Sequence, residues 1–516
     1  MATLDMDVIA KELGDWGRYQ VFNYILLSLP VMFTAMHKIQ FIFVAPDTNY
    51  RCLVPECESP PYNYKPGDWA SFTLPADEEA RRCKRLKPQG NTCAAASFTE
   101  EPVACHSWVY ENEESAVHTY NLACDEMRRT TIGSVNGVGI FFGIICISYI
   151  SDRFGRKTAL IIAIFFTGVF CSIRAFSVNY YMHLVFEFIA TLFGAGTYSC
   201  GFVLAVEMVT TSQRVVIGSV MSTAYAVGAI NLGWLAYLFP YWRTLLLVMG
   251  LPCLLFISYY WIINESIRWL VVKGRHEQAL KTLKRVAKIN KVSLSENTKR
   301  MILNYQNDMS ESPTTRDAKE TFVSGMKSKI LLMRVFINIF WWMTVNFIYY
   351  GLSINSVTLA GNKYVNFIIM NIAEFPGIWI TVPAFNRLGR KITLLISFAL
   401  CGIGLLLIAF VPFGIWFTII ALVGKMFISL AYNGVYVYSV ELFPTRIRHR
   451  CIGVCSMLGR VGTILAPLTP ALMLIWKPLP YTVFGAFSFI SCTFTLLTPE
   501  TLNKKLPDTI EEAEAL

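Results

Sequence analysis

The 516-residue chain is 54% hydrophobic and only 16% charged, against about 25% charged in ordinary soluble domains. Its formal net charge of +10 does not point to nucleic acid, because the basic residues gather in short loops between long apolar runs. A large soluble protein with buried core helices is excluded too: almost no charged amphipathic helix stands outside 265–330 to cover them.

In chain order, a polar segment 1–20 carries Asp5, Asp7, Glu12 and Asp15 ahead of the first apolar run, which argues against a cleaved signal peptide. Twelve runs then read as membrane-crossing helices: 21–46, 130–151, 158–178, 180–206, 215–238 and 244–264, followed by 331–358, 364–385, 391–412, 414–441, 451–474 and 480–499. Each can cross roughly 30 Å of hydrocarbon. The expected fold is an all-α membrane protein.

The loop 47–129 holds nine basic and fourteen acidic residues and six of the fourteen cysteines: Cys52, Cys57, Cys83, Cys93, Cys105 and Cys124. An even cluster in one loop suits three disulfides in an oxidising compartment, with fifteen connectivities open. A zinc site is the rival, but no Cys-x-x-Cys or histidine spacing supports it.

The hairpin "SDRFGRK" at 151–157 returns as "FNRLGRK" at 385–391. Gly155 and Gly389 lie 234 residues apart, as do Arg156 and Arg390, and the pairs Glu207/Arg214 and Glu441/Arg448 keep the same offset. Such self-similarity makes the chain two copies of one unit. The halves are 21–264 and 331–499, joined by a linker 265–330 with amphipathic helices and followed by a tail 500–516. The linker holds fourteen Lys/Arg and seven Asp/Glu. With both hairpins basic as well, the positive-inside rule puts these segments and both termini in the cytoplasm and 47–129 outside.

A protein opening alternately to either side needs a reversible latch. Asp152, Arg153, Arg156, Glu207, Arg214, Arg390, Glu441 and Arg448 are the expected cytoplasmic gating charges, with Arg153, Arg156 and Lys157 reaching Glu207 or Glu441. Partly hydrated pairs worth about 1 kcal/mol or less each make such a switch. An ordinary topogenic signal accounts for the basic residues, but not for Asp152 or the glutamates.

Ionisable groups inside spans are functional candidates by default. Glu374, two residues before Pro376, and Arg460, between Gly459 and Gly462, form a charge-recognising cavity or a structural salt bridge with each other. Trp342, Tyr349, Tyr350 and Tyr436 add aromatic faces suited to organic cations. Lys38 lies eight residues before Pro46, about 12 Å along a helix, and has two placements open, cavity-facing or snorkelling. There is no phosphate loop, Gly424-Lys425 standing alone within a span. The six histidines show no metal or triad spacing. The expectation is therefore no enzyme, no cofactor and no metal, with transport driven by gradients.

The chain resembles the organic cation, anion and carnitine transporter family of the major facilitator superfamily. The resemblance rests on both hairpins, the six-cysteine loop, "NESIRWLVVKGRHEQAL" at 264–280, "YYGL" at 349–352, "GVYVYSVELFPTRIR" at 434–448, "GRVGTILAPL" at 459–468 and "LTPETLNKKLPDTIEE" at 497–512. It looks nearest to the insect-type organic cation transporter-like members, through "HK" at 37–38, "YYWII" at 259–263 and "IWKPLP" at 475–480. Ser148, Asn264, Ile267 and Asn386 depart from the family pattern, the last weakening the second hairpin's latch.

The resemblance implies two pseudo-symmetric six-helix halves in the plasma membrane, working as a monomer among lipids with a coupling or exchange ion. It implies the disulfides Cys52–Cys105, Cys57–Cys124 and Cys83–Cys93. It also implies a small organic ion as substrate: Glu374 is similar to the cation and carnitine branches, and Arg460 to the anion and carnitine branches. Cations or carnitine-like zwitterions are the leading expectation, an organic anion exchanger the alternative. A sugar porter and a non-transporting membrane receptor stand further off.

Overall fold

The computed structural model describes every residue except 1–5, 78–79, 211–212, 304–327, 445–446, 503, 505–506, 508–509 and 516. Among the described residues, twelve helices are long and apolar enough to cross a membrane. Spans 1 to 6 are Arg18–Ile39, Glu126–Phe154, Arg156–Arg174, Tyr180–Val206, Arg214–Leu238 and Trp242–Ile262. Spans 7 to 12 are Lys329–Thr358, Lys363–Arg387, Arg390–Phe410, Ile415–Leu442, Arg450–Met473 and Leu479–Leu496.

The hairpin glycines show the repeat in backbone terms. Gly155 caps span 3 at φ +105° and Gly389 caps span 9 at φ +91°, a region open to glycine because it has no Cβ. Two spans break where the candidate charges stand. Span 8 runs as Lys363–Ile372 and Glu374–Arg387, so Glu374 opens its second segment. Pro376 falls in that segment's first turn, where its missing N–H costs nothing. Span 11 is interrupted at Arg460, between a helix ending at Gly459 and one starting at Val461.

Part of the linker folds as Ile267–Val272, His276–Asn290 and Glu296–Leu303; its stretch 304–327 lies outside the described residues. The apolar stripe Ala279, Leu283 and Val286 packs on Ile9 and Leu13 of the N-terminal helix Met6–Leu13. The tail helix Ile510–Glu514 docks on span 7, Arg334 donating to the Ala513 carbonyl. Both terminal segments thus lie on the face that carries the hairpins, called here the basic face.

The loop after span 1 forms a small β-rich module on the other face. Strands β1 (Tyr50–Cys52), β2 (Lys84–Pro88), β3 (Phe98–Ala104) and β4 (Trp108–Tyr110) pair antiparallel as β1 with β4 and β2 with β3. Its disulfides are Cys52–Cys105, Cys57–Cys93 and Cys83–Cys124. The first agrees with the expectation; Cys57–Cys124 and Cys83–Cys93 are corrected. Cys83 stands at the base of the β2–β3 hairpin and Cys93 in its loop, with the whole of the five-residue strand β2 between them, about 17 Å of strand. Cys93 instead meets the turn holding Cys57, which an Arg85–Glu56 ion pair of 2.7 Å ties to β2.

The two halves close on each other on the module's side of the membrane. Ser134 of span 2 donates to the Ile464 carbonyl of span 11 at 3.1 Å. Phe43 stacks on Tyr364 and meets Phe367 edge-on, at 5.6 and 5.0 Å.

Candidate functional site

Spans 1, 4, 5, 7, 8, 10 and 11 converge on a central cavity of about 50 Å³. Lys38, Tyr349, Tyr350, Glu374, Tyr436 and Arg460 all line it, joined by Tyr198, Tyr225, Tyr432 and Asn433. Trp342 does not: it lies behind the tyrosines, edge-on to Tyr436 at 4.4 Å, and braces them. Tyr438, on the same span as Tyr436, points away to stack on Trp341.

The salt-bridge reading is corrected, while both charges line the cavity. Glu374 and Arg460 do not pair with each other. Glu374 Oε1 is 2.9 Å from Lys425 Nζ, both side chains fully buried, and Oε2 accepts from the Tyr349 hydroxyl at 2.8 Å. Lys425 also donates to the Tyr349 carbonyl at 2.9 Å and to Ser353 Oγ at 2.7 Å. Arg460 donates to Asn346 Oδ1 at 3.3 Å, and its Nε has no partner among the described residues. Lys38 faces the cavity with its ammonium 5.7 Å from the Tyr225 ring centre. The formal charges of Glu374 and Lys425 cancel, which leaves Lys38 and Arg460 as the unneutralised charges.

Sequence reasoning passed over Lys425 because it was tested only as part of a phosphate-loop motif; its lone position in a long apolar span was the available signal. It also missed Glu187 and Arg174, a buried ion pair behind Lys38 whose carboxylate accepts from Gln40 at 3.0 Å and Asn136 at 2.7 Å.

Two hydrogen bonds join the halves at cavity level. Ser222 Oγ lies 2.9 Å from Asn433 Oδ1, and the Tyr225 and Tyr350 hydroxyls are 3.2 Å apart.

On the basic face, the ion pairs among the described residues stay within one half. Arg156 pairs with Asp152 at 2.8 Å and Arg390 with Glu441 at 3.0 Å. Arg153 donates to the Tyr149 hydroxyl, and Lys157 to the Tyr260 carbonyl. Glu207 keeps one buried oxygen without a partner among the described residues. Arg214 opens span 5, exposed, and Arg448 donates to the Phe443 carbonyl at 3.0 Å.

A symmetric pair of clamps was also missed. Glu265 accepts from the backbone N–H of Arg156 and Lys157 at 2.9 and 3.1 Å. Glu500 does the same for Arg390 and Lys391 at 2.9 and 3.0 Å. A carboxylate at a helix N-terminus satisfies orphan donors and meets the positive end of the helix dipole. Burial works against the Glu500 carboxylate, but backbone donors from Arg390, Leu502, Thr501 and Lys391 outweigh it and hold its pKa below the usual range. The clue lay in the quoted stretches, each acid standing just beyond the last span of its half.

The "Sugar (and other) transporter" family model matches residues 90–512. The organic cation transporter protein of Drosophila melanogaster is 33% identical, over 98% of this chain and 94% of its own length. Solute carrier family 22 member 3 of Mus musculus is 31% identical, over 99% and 96%. The chain belongs to the organic cation transporter family. It is a multi-pass membrane transporter, not an enzyme. Its fold is that of the major facilitators: the xylose transporter XylE from E. coli, in its inward-open conformation, superimposes with a TM-score of 0.63 at 16% identity, covering 96% of this chain and 99% of that one.

Proposed function

We propose that this transporter moves small organic ions across the plasma membrane by alternating access, and that its preferred substrate joins an organic cation to a carboxylate, as carnitine-like zwitterions do. The observation that carries this reading is the charge layout of the cavity. Among the described residues, Arg460 and Lys38 face it without a carboxylate partner, while Glu374, lining the same cavity, is held by Lys425 and Tyr349. A substrate carboxylate meets Arg460 and Lys38. Its quaternary or protonated amine meets Tyr349, Tyr350, Tyr432 and Tyr436, whose ring faces each contribute roughly 0.5–2 kcal/mol, and competes with Lys425 for Glu374. The low dielectric of a closed cavity makes each pairing matter more than at a surface.

The relatives support the cationic part of the substrate, being themselves named organic cation transporters. Closure on the module's side, with unlinked ion-pair networks on the basic face, supports a cytoplasm-facing state in which the basic face is cytoplasmic. The gating charges then re-pair between halves when the transporter opens outward. Uptake of a labelled zwitterion, its decarboxylated cation and its deaminated anion into potential-clamped proteoliposomes tests the reading. Zwitterion uptake should exceed the other two; a preference for the simple anion would overturn it.

A further inference from the structure

A second cavity, of about 40 Å³, lies on the basic face between the N-terminal helix, the ends of spans 1 and 4, and the linker helices. Leu13, Leu27, Met208 and Ile267 give it apolar walls. Nearly every polar group around it has a partner. Asn264 donates to the Tyr19 hydroxyl at 2.9 Å, Asn290 to Gln20 Oε1 at 2.7 Å, and Asn23 to the Tyr19 carbonyl at 2.8 Å. Glu265 is occupied by the amides of span 3.

Glu207 is the exception: its Oε2 is buried, and among the described residues no donor meets it. The charged groups around it are Arg156, Arg268 and Glu265. Arg156 is engaged with Asp152 at 2.8 Å, and among the described residues neither arginine forms an ion pair with Glu207. An unmatched carboxylate oxygen in an apolar-walled space is costly, since desolvation penalises the charged form. Burial accordingly raises the Glu207 pKa, against the lowering pull of a Ser266 hydrogen bond and the two arginines.

We infer that this cavity binds a small monovalent cation, an alkali ion or an ammonium of one to three heavy atoms, through Glu207 Oε2. The size sets the class. A volume of about 40 Å³ holds roughly three water-sized groups, the scale of an alkali ion or a short ammonium. The charge sets the sign, because the group left unpaired is an acceptor. Bound there, the cation ties the end of span 4, in the N-terminal half, to the N-terminal helix and the linker.

The test is thermal unfolding of the purified full-length chain at constant ionic strength, with potassium chloride or methylammonium chloride replacing N-methylglucamine chloride. It reads binding directly, so its outcome is independent of whether the transport reading holds. The midpoint should rise saturably with at least one of the two probes, and which one identifies the source of the cation. In Glu207→Gln, and separately in the cavity-filling Thr282→Leu, half-saturation should move to about fivefold higher concentration or beyond. Thr282→Leu keeps the test decisive if Glu207→Gln does not fold. No cation-specific rise in the wild type, or unchanged half-saturation in the folded variants, would overturn the inference.

Discussion

Lys425 Nζ lies 2.9 Å from Glu374 Oε1 at the centre of the C-terminal half, with both side chains removed from solvent. The guanidinium of Arg460, lining the same cavity as Glu374, meets an asparagine and tyrosines but, among the described residues, no carboxylate. The carboxylate that a cation would use is therefore already engaged, while the charges available to an anion are free.

Lys425→Met should be severely destabilising. It strands a buried carboxylate, a change that costs about 3–5 kcal/mol. Adding Glu374→Gln should restore most of the loss, because no uncompensated charge remains. Thermal midpoints of the four proteins in a double-mutant cycle check this; additive losses would mean that the two groups do not depend on each other.

Glu500→Gln should lower stability at neutral pH by about 1 kcal/mol, the scale of a partly exposed carboxylate at a helix N-terminus. The folded pKa of Glu500 is depressed, so its contribution is complete above the usual carboxylate range and fades as pH falls through the folded value. The gap between wild type and variant should accordingly narrow on acidification. Gly389→Ala should disturb the same clamp, since a Cβ there would run into Glu500 at a φ of +91°. Melting curves across pH read both effects.

Peptide mapping without reduction should recover Cys57–Cys93 and Cys83–Cys124 as linked pairs. Removing either bond by paired serine substitution should destabilise the module by about 2–4 kcal/mol. The crossed pairs Cys57–Cys124 and Cys83–Cys93 should not be found.

What the sequence made legible follows from where each signal resides. The 234-residue offset of Gly155 and Gly389 exposed the repeat because both positions demand a backbone conformation that few residues other than glycine adopt. The apolar runs gave the spans, and single charges within them led to Glu374, Arg460 and Lys38. Partners were another matter. Lys425 and Glu374 are on different helices, and no spacing along the chain reports which cation a buried carboxylate meets. Trp342 and Tyr436 both looked like cavity residues, yet small differences in helix rotation put one behind the other. The cysteine pairing failed for a similar reason: it depends on the β2–β3 hairpin, whose register holds Cys93 away from Cys83.

Asp152→Asn should leave stability almost unchanged, because the Asp152–Arg156 pair is largely exposed on its acidic side and such pairs contribute about 1 kcal/mol or less. If Asp152 belongs to the latch, uptake per surface molecule should nevertheless fall. Quantified surface labelling beside initial uptake rates separates the two effects; unchanged uptake per molecule would remove Asp152 from the gating charges.

The proposed function requires that Arg460 and Glu374 each read one substrate charge within a single cavity. Its most direct test is initial uptake of three matched probes, a zwitterion, a cation and an anion, into potential-clamped proteoliposomes holding wild type, Arg460→Asp or Glu374→Gln. The account predicts that Arg460→Asp depresses zwitterion and anion uptake about tenfold or more, as expected for a lost charge-assisted contact of roughly 1.5–3 kcal/mol, while sparing or improving the cation. Glu374→Gln should do the reverse, weakening the cation and the zwitterion most. If both substitutions depress all three probes equally, the charges hold the helices together and do not read the substrate, and the account is wrong.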